Sequence, residues 1–167
     1  DPSRIIRALK FAERFDFEIE VTTYKLMQDY FSNIDKTIPL ERIKNELKEY
    51  FSINKNGIYE KIIETNAYKL VAENPSIQLN TNHLAEIKQY KLFEEKWQIY
   101  FYLLILNSDL ECLNLTSEEK KIITDTKTLI NSDIDKTDNF QIHQKYNKKS
   151  TTAIGLYYIL SGDETVK

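Results

Sequence analysis

The sequence predicts an all-α fold of about seven to nine helices. Three glycines and three prolines occur in 167 residues, and strand-rich sandwiches and barrels normally need more turn residues than that. The longer apolar patterns repeat at helical spacing rather than in strict alternation. Because 41% of the residues are hydrophobic, the chain has enough apolar side chains to bury a core, as one domain or as two small ones.

The first three predicted helices occupy the N-terminal third of the chain. Apolar residues recur at helical spacing from Arg4 to Phe15, and Asp16 is suited to end that helix in a left-handed conformation. A second helix is predicted from about Val21 to Phe31. The segment TIPLERIKNELKEYF has Pro39 in its first turn and its apolar residues on one face, which predicts a third helix.

The remaining predicted helices follow polar connections. The segment GIYEKIIETNAYKLVAEN predicts one helix that ends before Pro75. One or two helices are predicted between Leu84 and Leu106, and the second half of this stretch is apolar on nearly all sides, as in a central buried helix. In TSEEKKIITDTKTLI, Thr116 and Glu119 form a capping-box pattern at the start of another helix. Two short helices are predicted to follow, at Phe140–Tyr146 and Thr152–Leu160.

Charge and cysteine content restrict the function classes. A net charge of −3 and a pI of about 5.5 argue against a dedicated nucleic-acid binder, so any RNA contact must be local. Cys112, the single cysteine, excludes an internal disulfide and predicts a reducing, cytoplasmic location, with its side chain in the core. His83 and His143 are far apart, so no metal site is predicted. The apolar run from Trp97 to Leu106 is too short to span a bilayer, and no membrane partner is predicted.

Asp1, Arg4 and Arg7 follow one another at intervals of three residues along the first predicted helix. A carboxylate accepts hydrogen bonds and a guanidinium donates them, so Asp1 and Arg4 on one face present a mixed edge like that of a nucleobase. The same spacing is typical of an Asp at a helix N-terminus with an Arg one turn later in a surface ion pair. The spacing leaves both interpretations open.

The segment DPSRIIRALKFAERFDFEIE resembles a segment of the class II RNA nucleotidyltransferases, the bacterial tRNA CCA-adding enzymes and poly(A) polymerases, that runs E-D-P-x-R-(I/L)-x-R-A-x-(R/K)-F-x-x-R. The resemblance implies that Asp1 and Arg4 form a template for the Watson–Crick edge of incoming CTP or ATP. Asp1 would accept from the exocyclic amine and Arg4 would donate to the ring acceptor. Arg7 would support this site or contact the nucleotide phosphate. Asp16 stands where the family commonly has a glycine.

A weaker resemblance extends into the third predicted helix, in the segment ERIKNEL. Arg42 and Glu46 are four residues apart there, which is the spacing of a helix-stabilising pair. The resemblance implies instead that they brace the nucleotide-reading helix. A composition break near residues 52–57 (SINKNG) is the candidate domain boundary. With this boundary, the resemblance implies that residues 1–55 are the neck of such an enzyme, with nucleotide-selecting and RNA-binding helices. Residues 56–167 would be a helical body that grips the acceptor arm of tRNA or another RNA 3′ end.

Three lysines in the segment HQKYNKKS are candidates for contacts with an RNA backbone. They are Lys145, Lys148 and Lys149, which surround Tyr146. Cationic side chains next to an aromatic ring are typical of surfaces that bind single strands. A solvated polar face explains the same residues.

The family's catalytic head, which binds two Mg²⁺ ions, has no counterpart in this sequence, so no catalytic residue is expected in it. The chain begins on Asp1 without Met, as if cut inside the nucleotide-reading motif, and Asp1 and Arg4 are then expected to be exposed and poorly ordered. We therefore expect the helical portion of a CCA-adding enzyme that uses CTP and ATP, inactive alone. The alternatives are a portion of a poly(A) polymerase and a non-enzymatic helical module that binds RNA or protein.

Overall fold

A computed structural model of the chain describes residues 1–32, 39–53, 55–75, 95–132 and 139–162. These residues form eight α-helices, one 3-10 helix and no strand, which confirms the predicted all-α fold. In chain order the helices are α1 (Ser3–Phe15), α2 (Val21–Ser32), α3 (Leu40–Phe51), α4 (Ile58–Glu64), the 3-10 helix (Ala67–Leu70), α5 (Trp97–Ile105), α6 (Ser117–Asn131), α7 (Asn139–Tyr146) and α8 (Thr151–Ser161).

The described helices belong to two compact units. The first contains α1 to α5 and the 3-10 helix, and the second contains α6 to α8. The first unit therefore continues beyond residue 55, where the predicted neck ends. The division into neck and body is a functional one and stays a prediction.

The core of the first unit lies where α3 packs against both α1 and α5. Every residue of α5 except Gln98 is buried, which confirms the predicted central helix; His83 and residues 84–94 lie outside the described part of the chain. Phe51 on α3 stacks against Tyr100 on α5 with ring centroids 5.0 Å apart, and Tyr59 on α4 lies 5.9 Å from Tyr100. This aromatic cluster joins three helices of the unit.

Helix α1 ends as predicted, and its buried side includes two charged residues. Asp16 adopts the left-handed conformation, with φ 55° and ψ 40°, and its N–H donates to the carbonyl of Ala12. Lys10 and Glu13 are buried with the apolar residues of the helix, whereas Phe15 is 54% exposed. An expectation based on apolar spacing alone therefore misplaces Phe15, because the two buried charges find partners on other helices.

The single helix predicted after Gly57 is wrong, since the segment is interrupted. α4 ends at Glu64, and Asn66 adopts φ 61° and ψ 13° before the 3-10 helix begins at Ala67. Asn tolerates the left-handed conformation better than most residues. The Thr65 hydroxyl donates to the carbonyl of Lys61 at 2.7 Å, which satisfies a polar group of the last turn.

The second unit is built around α6 and α8, which pack against each other. The predicted capping box is confirmed: the Thr116 hydroxyl accepts from the Glu119 N–H, and the Glu119 carboxylate accepts from the Thr116 N–H at 2.9 Å. Thr126 on α6 is fully buried and its hydroxyl donates to the carbonyl of Ile122 at 2.8 Å. The buried hydroxyl of Thr126 therefore has a hydrogen-bond acceptor within its own helix.

Candidate nucleotide-selecting site

The candidate site begins at the start of α1, where Asp1 holds the first turn. Asp1 Oδ1 accepts hydrogen bonds from the N–H and the hydroxyl of Ser3, at 3.1 and 2.7 Å. Asp1 Oδ2 accepts from Nη2 of Arg42 on α3, at 2.8 Å. Asp1 is exposed, as predicted, but its carboxylate is held by these three hydrogen bonds and is fixed relative to both helices.

Arg4 lies one turn along α1 and is also exposed. Its N–H donates to the carbonyl of Asp1 at 3.1 Å, as expected in the first turn. Its guanidinium has no acceptor among the residues that the structure describes. Arg4 thus offers five N–H donors three residues after a carboxylate whose Oδ2 has one protein donor.

A ladder of charge pairs connects α1 to α3. Arg7 Nε donates to Glu46 Oε1 at 2.5 Å, and Nη2 of Arg7 pairs with the same oxygen. Lys10 Nζ lies 3.5 Å from Glu46 Oε2 and 2.5 Å from Glu49 Oε2. Since residue numbers rise together along the two helices, from the Asp1–Arg42 pair to the Lys10–Glu49 pair, α1 and α3 run parallel.

Glu46 is the central member of this ladder. Burial raises the pKa of Glu46, but the hydrogen bond from Arg7 and the charge of Lys10 outweigh burial, so that the pKa lies below its usual value. The hydrogen bond and the negative charge of Glu46 in turn raise the pKa of Arg7. The ion pair is therefore fully charged near neutral pH, and it fixes the position of the Arg7 side chain.

Arg42 and Glu46 contact α1 and not each other, so the helix-stabilising pair that their spacing allows does not form. Arg42 reaches Asp1, and Glu46 reaches Arg7. A bracing role for α3 requires contacts of this kind, although the role itself stays a prediction. The sequence analysis missed Lys10 and Glu49, and the signal was present: two cations three residues apart on α1 match two acids three residues apart on α3.

The C-terminal end of α1 is anchored by two lysines of the same unit. Lys55 donates to the carbonyl of Glu13 and to the Asp16 carboxylate. Lys61, on α4, pairs with the buried carboxylate of Glu13. Both ends of α1 are thus tied to neighbouring segments, so its outward face is held in a defined position.

In chemical terms, the start of α1 offers hydrogen-bond acceptors on Asp1 and hydrogen-bond donors on Arg4, three residues later. The carboxylate of Asp1 complements an amine, and the guanidinium of Arg4 complements a ring nitrogen or a carbonyl. Cytosine and adenine both present an exocyclic amine next to a ring acceptor, whereas uracil and guanine present a carbonyl at the position of the amine. Asp1 and Arg4 therefore carry the hydrogen-bonding groups that complement the edge shared by cytosine and adenine.

The three candidate RNA-binding lysines lie in different environments in the second unit. Lys145 is buried, its ammonium donates to the Tyr157 hydroxyl at 2.8 Å, and it lies 4.4 Å from the centre of that ring. Lys149 pairs with Asp125 at 2.9 Å. Lys148 is exposed and has φ 62°. Among the three, Lys148 alone is exposed, and the RNA-binding role stays a prediction.

If this region contacts RNA, we expect Lys148→Gln to weaken binding more than Lys145→Gln. Lys148→Gln should reduce the slope of log K against log salt concentration by about 0.7, the contribution of one phosphate contact on a single strand. Lys145→Gln should instead lower the free energy of unfolding by about 2 kcal/mol, because a buried charged hydrogen bond is lost. Fluorescence anisotropy with labelled RNA and thermal unfolding measure the two effects, with exposed Lys121→Gln as the control. Equal losses of binding in all three variants would contradict this.

The remaining sequence predictions concern Cys112, the histidines, metal sites and membrane-spanning helices. The predicted core position of Cys112 is wrong, since this cysteine is exposed and its thiol donates to Asp109 Oδ2 at 3.3 Å. His143 is exposed. Within the described ranges, no group of three or more His, Cys, Asp or Glu residues is placed to hold a metal ion. No described helix is long and apolar enough to cross a membrane.

Comparison with protein-family models, with curated proteins and with solved structures gives no match for this chain. The functional assignment consequently depends on the contacts at the start of α1 and on the sequence motif that places residues there.

Proposed function

We propose that this chain is the helical portion of a template-independent RNA nucleotidyltransferase that adds CCA, or part of it, to tRNA 3′ ends. The observation that supports the proposal is an exposed Asp1 directly before α1, held by Arg42, together with an exposed Arg4 in the first turn of that helix. In this role Asp1 accepts from the exocyclic amine of CTP or ATP, and Arg4 donates to the ring acceptor. Arg7, fixed by Glu46, supports the site or contacts phosphate.

The chemistry of nucleotide transfer belongs to a catalytic head outside this chain in this proposal. The described residues offer no cluster of ligands for Mg²⁺, so we assign no step of phosphoryl transfer to them. Their part is to select the nucleotide and to hold the RNA. The isolated chain is accordingly proposed to be inactive.

The test is nucleotide selection by the full-length parent protein carrying Asp1→Ala or Arg4→Ala, assayed with each of the four nucleotides and a tRNA that ends before CCA. Each variant should lose about 5- to 150-fold of the preference for CTP and ATP over UTP and GTP, the discrimination expected of one well-placed pair with a base. Lys25→Ala, an exposed cation on α2, is the matched control and should leave the preference unchanged.

Asp1→Asn sharpens the same test, because it exchanges one acceptor for a donor with little change of shape. We expect incorporation of UTP to rise in this variant relative to Asp1→Ala. Circular dichroism should show the same helix content in all variants. Unaltered discrimination against UTP and GTP in the Asp1 and Arg4 variants would refute the template role.

A non-enzymatic helical module is the second candidate, and exposed apolar side chains on α2 favour it. Val21 is 67% and Leu26 is 64% exposed, which is typical of surfaces that bind a partner. The gene sequence upstream of Asp1 discriminates the two candidates. A glutamate directly before Asp1 and, further upstream, a glycine-rich loop followed by Asp-x-Asp would favour the enzyme, and their absence would favour the module.

A further inference from the structure

The outward face of α1 consists entirely of arginine and phenylalanine. Five residues of this helix are exposed, and at positions i, i+3, i+7, i+10 and i+11 they share one side of it. They are Arg4, Arg7, Phe11, Arg14 and Phe15. We call this surface the Arg/Phe face. The one acidic residue of α1, Glu13, is buried and paired with Lys61, so no acid interrupts the Arg/Phe face.

The two rings of the Arg/Phe face are exposed and nearly parallel. Phe11 is 47% and Phe15 is 54% exposed, and their centroids are 6.1 Å apart with 15° between the planes. Phe17 continues the series beyond the helix end, 5.6 Å from Phe15 and 67% exposed. Leaving large apolar rings in water is unfavourable. A row of exposed rings is typical of a surface that binds a partner.

The charge of the Arg/Phe face contrasts with that of the whole chain. Three arginines stand together on it, although the net charge of the protein is −3. The guanidinium groups of Arg4 and Arg14 meet no acceptor within the described ranges. Arg7 pairs with Glu46 through one carboxylate oxygen, but its side chain remains 44% exposed. The Arg/Phe face is thus locally cationic.

We propose, on the basis of the proposed function above, that the Arg/Phe face binds a single strand of RNA. Such a strand offers repeated aromatic faces and repeated anions, and the Arg/Phe face offers rings for stacking and guanidinium groups for phosphates. From Arg4 to Arg14 the helix rises about 15 Å, the length of about four nucleotides stacked at about 3.4 Å each. A protein partner would have to supply several acids to the same small surface.

The strand runs along the helix that selects the nucleotide. Bases of the strand stack on Phe11 and Phe15, and phosphates contact Arg14 and Arg7. A 3′ end held in this way would lie beside the template residues at the start of α1, where the next nucleotide is chosen. The Arg/Phe face thus joins RNA binding to nucleotide selection on a single helix.

The test is the binding of a fluorescein-labelled single-stranded RNA 12-mer of A and C by the chain of residues 1–167. An abasic oligomer of equal length and charge serves as the second probe. The double variant Phe11→Ala/Phe15→Ala should weaken binding of the 12-mer by about 10- to 100-fold, as expected when one or two stacking contacts are lost. It should leave binding of the abasic oligomer within about twofold. Arg14→Ala should weaken both and reduce the salt slope by about 0.7.

Matched controls come from α2 of the same unit. Tyr30→Ala removes an aromatic ring that is 43% exposed, and Lys25→Ala removes an exposed cation. Neither should change the affinity for the 12-mer. In the full-length parent, the Phe11→Ala/Phe15→Ala variant should keep its preference for CTP and ATP, so loss of stacking and loss of the template role are measured separately.

Three results would overturn the proposal. One is unchanged affinity for the 12-mer in the double phenylalanine variant, and another is an equal loss with the abasic oligomer. The third is failure of the unmodified chain to bind either oligomer at low salt. If the same variant abolishes self-association in sedimentation experiments while RNA binding persists, the Arg/Phe face is a protein interface instead. If the Phe11→Ala/Phe15→Ala variant of the parent still prefers CTP and ATP in that case, nucleotide selection by Asp1 and Arg4 does not depend on the Arg/Phe face.

Discussion

Replacing Phe51 with alanine is expected to lower the free energy of unfolding of the first unit by about 4 kcal/mol. Phe51 is fully buried and contacts rings from two other helices, with centroids 5.0 Å from Tyr100 and 6.4 Å from Tyr59. Truncation removes the transfer free energy of the ring and leaves a cavity that stiff aromatic neighbours cannot fill, which typically costs about 3–5 kcal/mol. Phe51→Leu should cost less than about 2 kcal/mol, since it keeps most of the volume.

The single tryptophan provides a probe within the first unit. Trp97 lies on α5, is 7% exposed, and contacts Phe101 with ring centroids 5.7 Å apart. Its fluorescence during denaturant unfolding therefore reports on the core that Phe51 supports. Phe11→Ala, at an exposed ring, is the control and should change the free energy by about 0.5 kcal/mol or less. A comparable loss in both variants would show that contacts around Phe51 do not hold the unit together.

Local sequence signals predicted most of the helix boundaries. The αL residue Asp16 and the capping box of Thr116 and Glu119 are determined by the residues themselves and their immediate neighbours. The break at Asn66 was missed, because apolar spacing continues across it and the left-handed conformation depends on one residue that also occurs within helices. Helix ends that are determined by three or four neighbouring residues can thus be predicted from the sequence. A break within a continuous apolar pattern, such as the one at Asn66, cannot.

The exposed face of α1 shows what apolar periodicity leaves out. Counting apolar residues alone places Phe15 in the core, but Lys10 and Glu13 take part of the buried face through ion pairs to α3 and α4. Those partners are 39 and 48 residues away in sequence. A residue's burial here is decided by a charge on another helix, which no local pattern in α1 encodes.

The candidate site could be predicted in part for the same reason. Asp1 and Arg4 follow from a local motif, and the structure places both at the surface at the start of α1. Arg42 and Glu46 were assigned to the support of that site; Arg42 contacts Asp1 directly before α1, and Glu46 contacts Arg7 on α1. The third cation of the ladder, Lys10, follows only once α1 and α3 are known to run parallel.

Replacing Glu46 with alanine is expected to lower the free energy of unfolding by about 3 kcal/mol at neutral pH. Glu46 and Lys10 are each 7% exposed, so removing the acid leaves a buried ammonium group paired with Glu49 alone, and breaking a buried pair is strongly destabilising. Glu49→Ala is the matched control on the same helix. Its side chain is 66% exposed, and its loss should cost about 1 kcal/mol or less. Unfolding followed by Trp97 fluorescence measures both.

The pH dependence identifies the charge of Glu46 as the cause. Because the pKa of Glu46 is lowered in the folded protein, its charge contributes fully above its unfolded pKa of about 4.3 and is lost as pH falls through the folded value. The difference between the unmodified protein and Glu46→Ala should therefore shrink below about pH 4. The double variant Lys10→Met/Glu46→Leu removes both charges and should recover most of the stability. A difference that stays constant from pH 7 to pH 3 would mean that packing of the Glu46 side chain, and not its charge, holds α1 on α3.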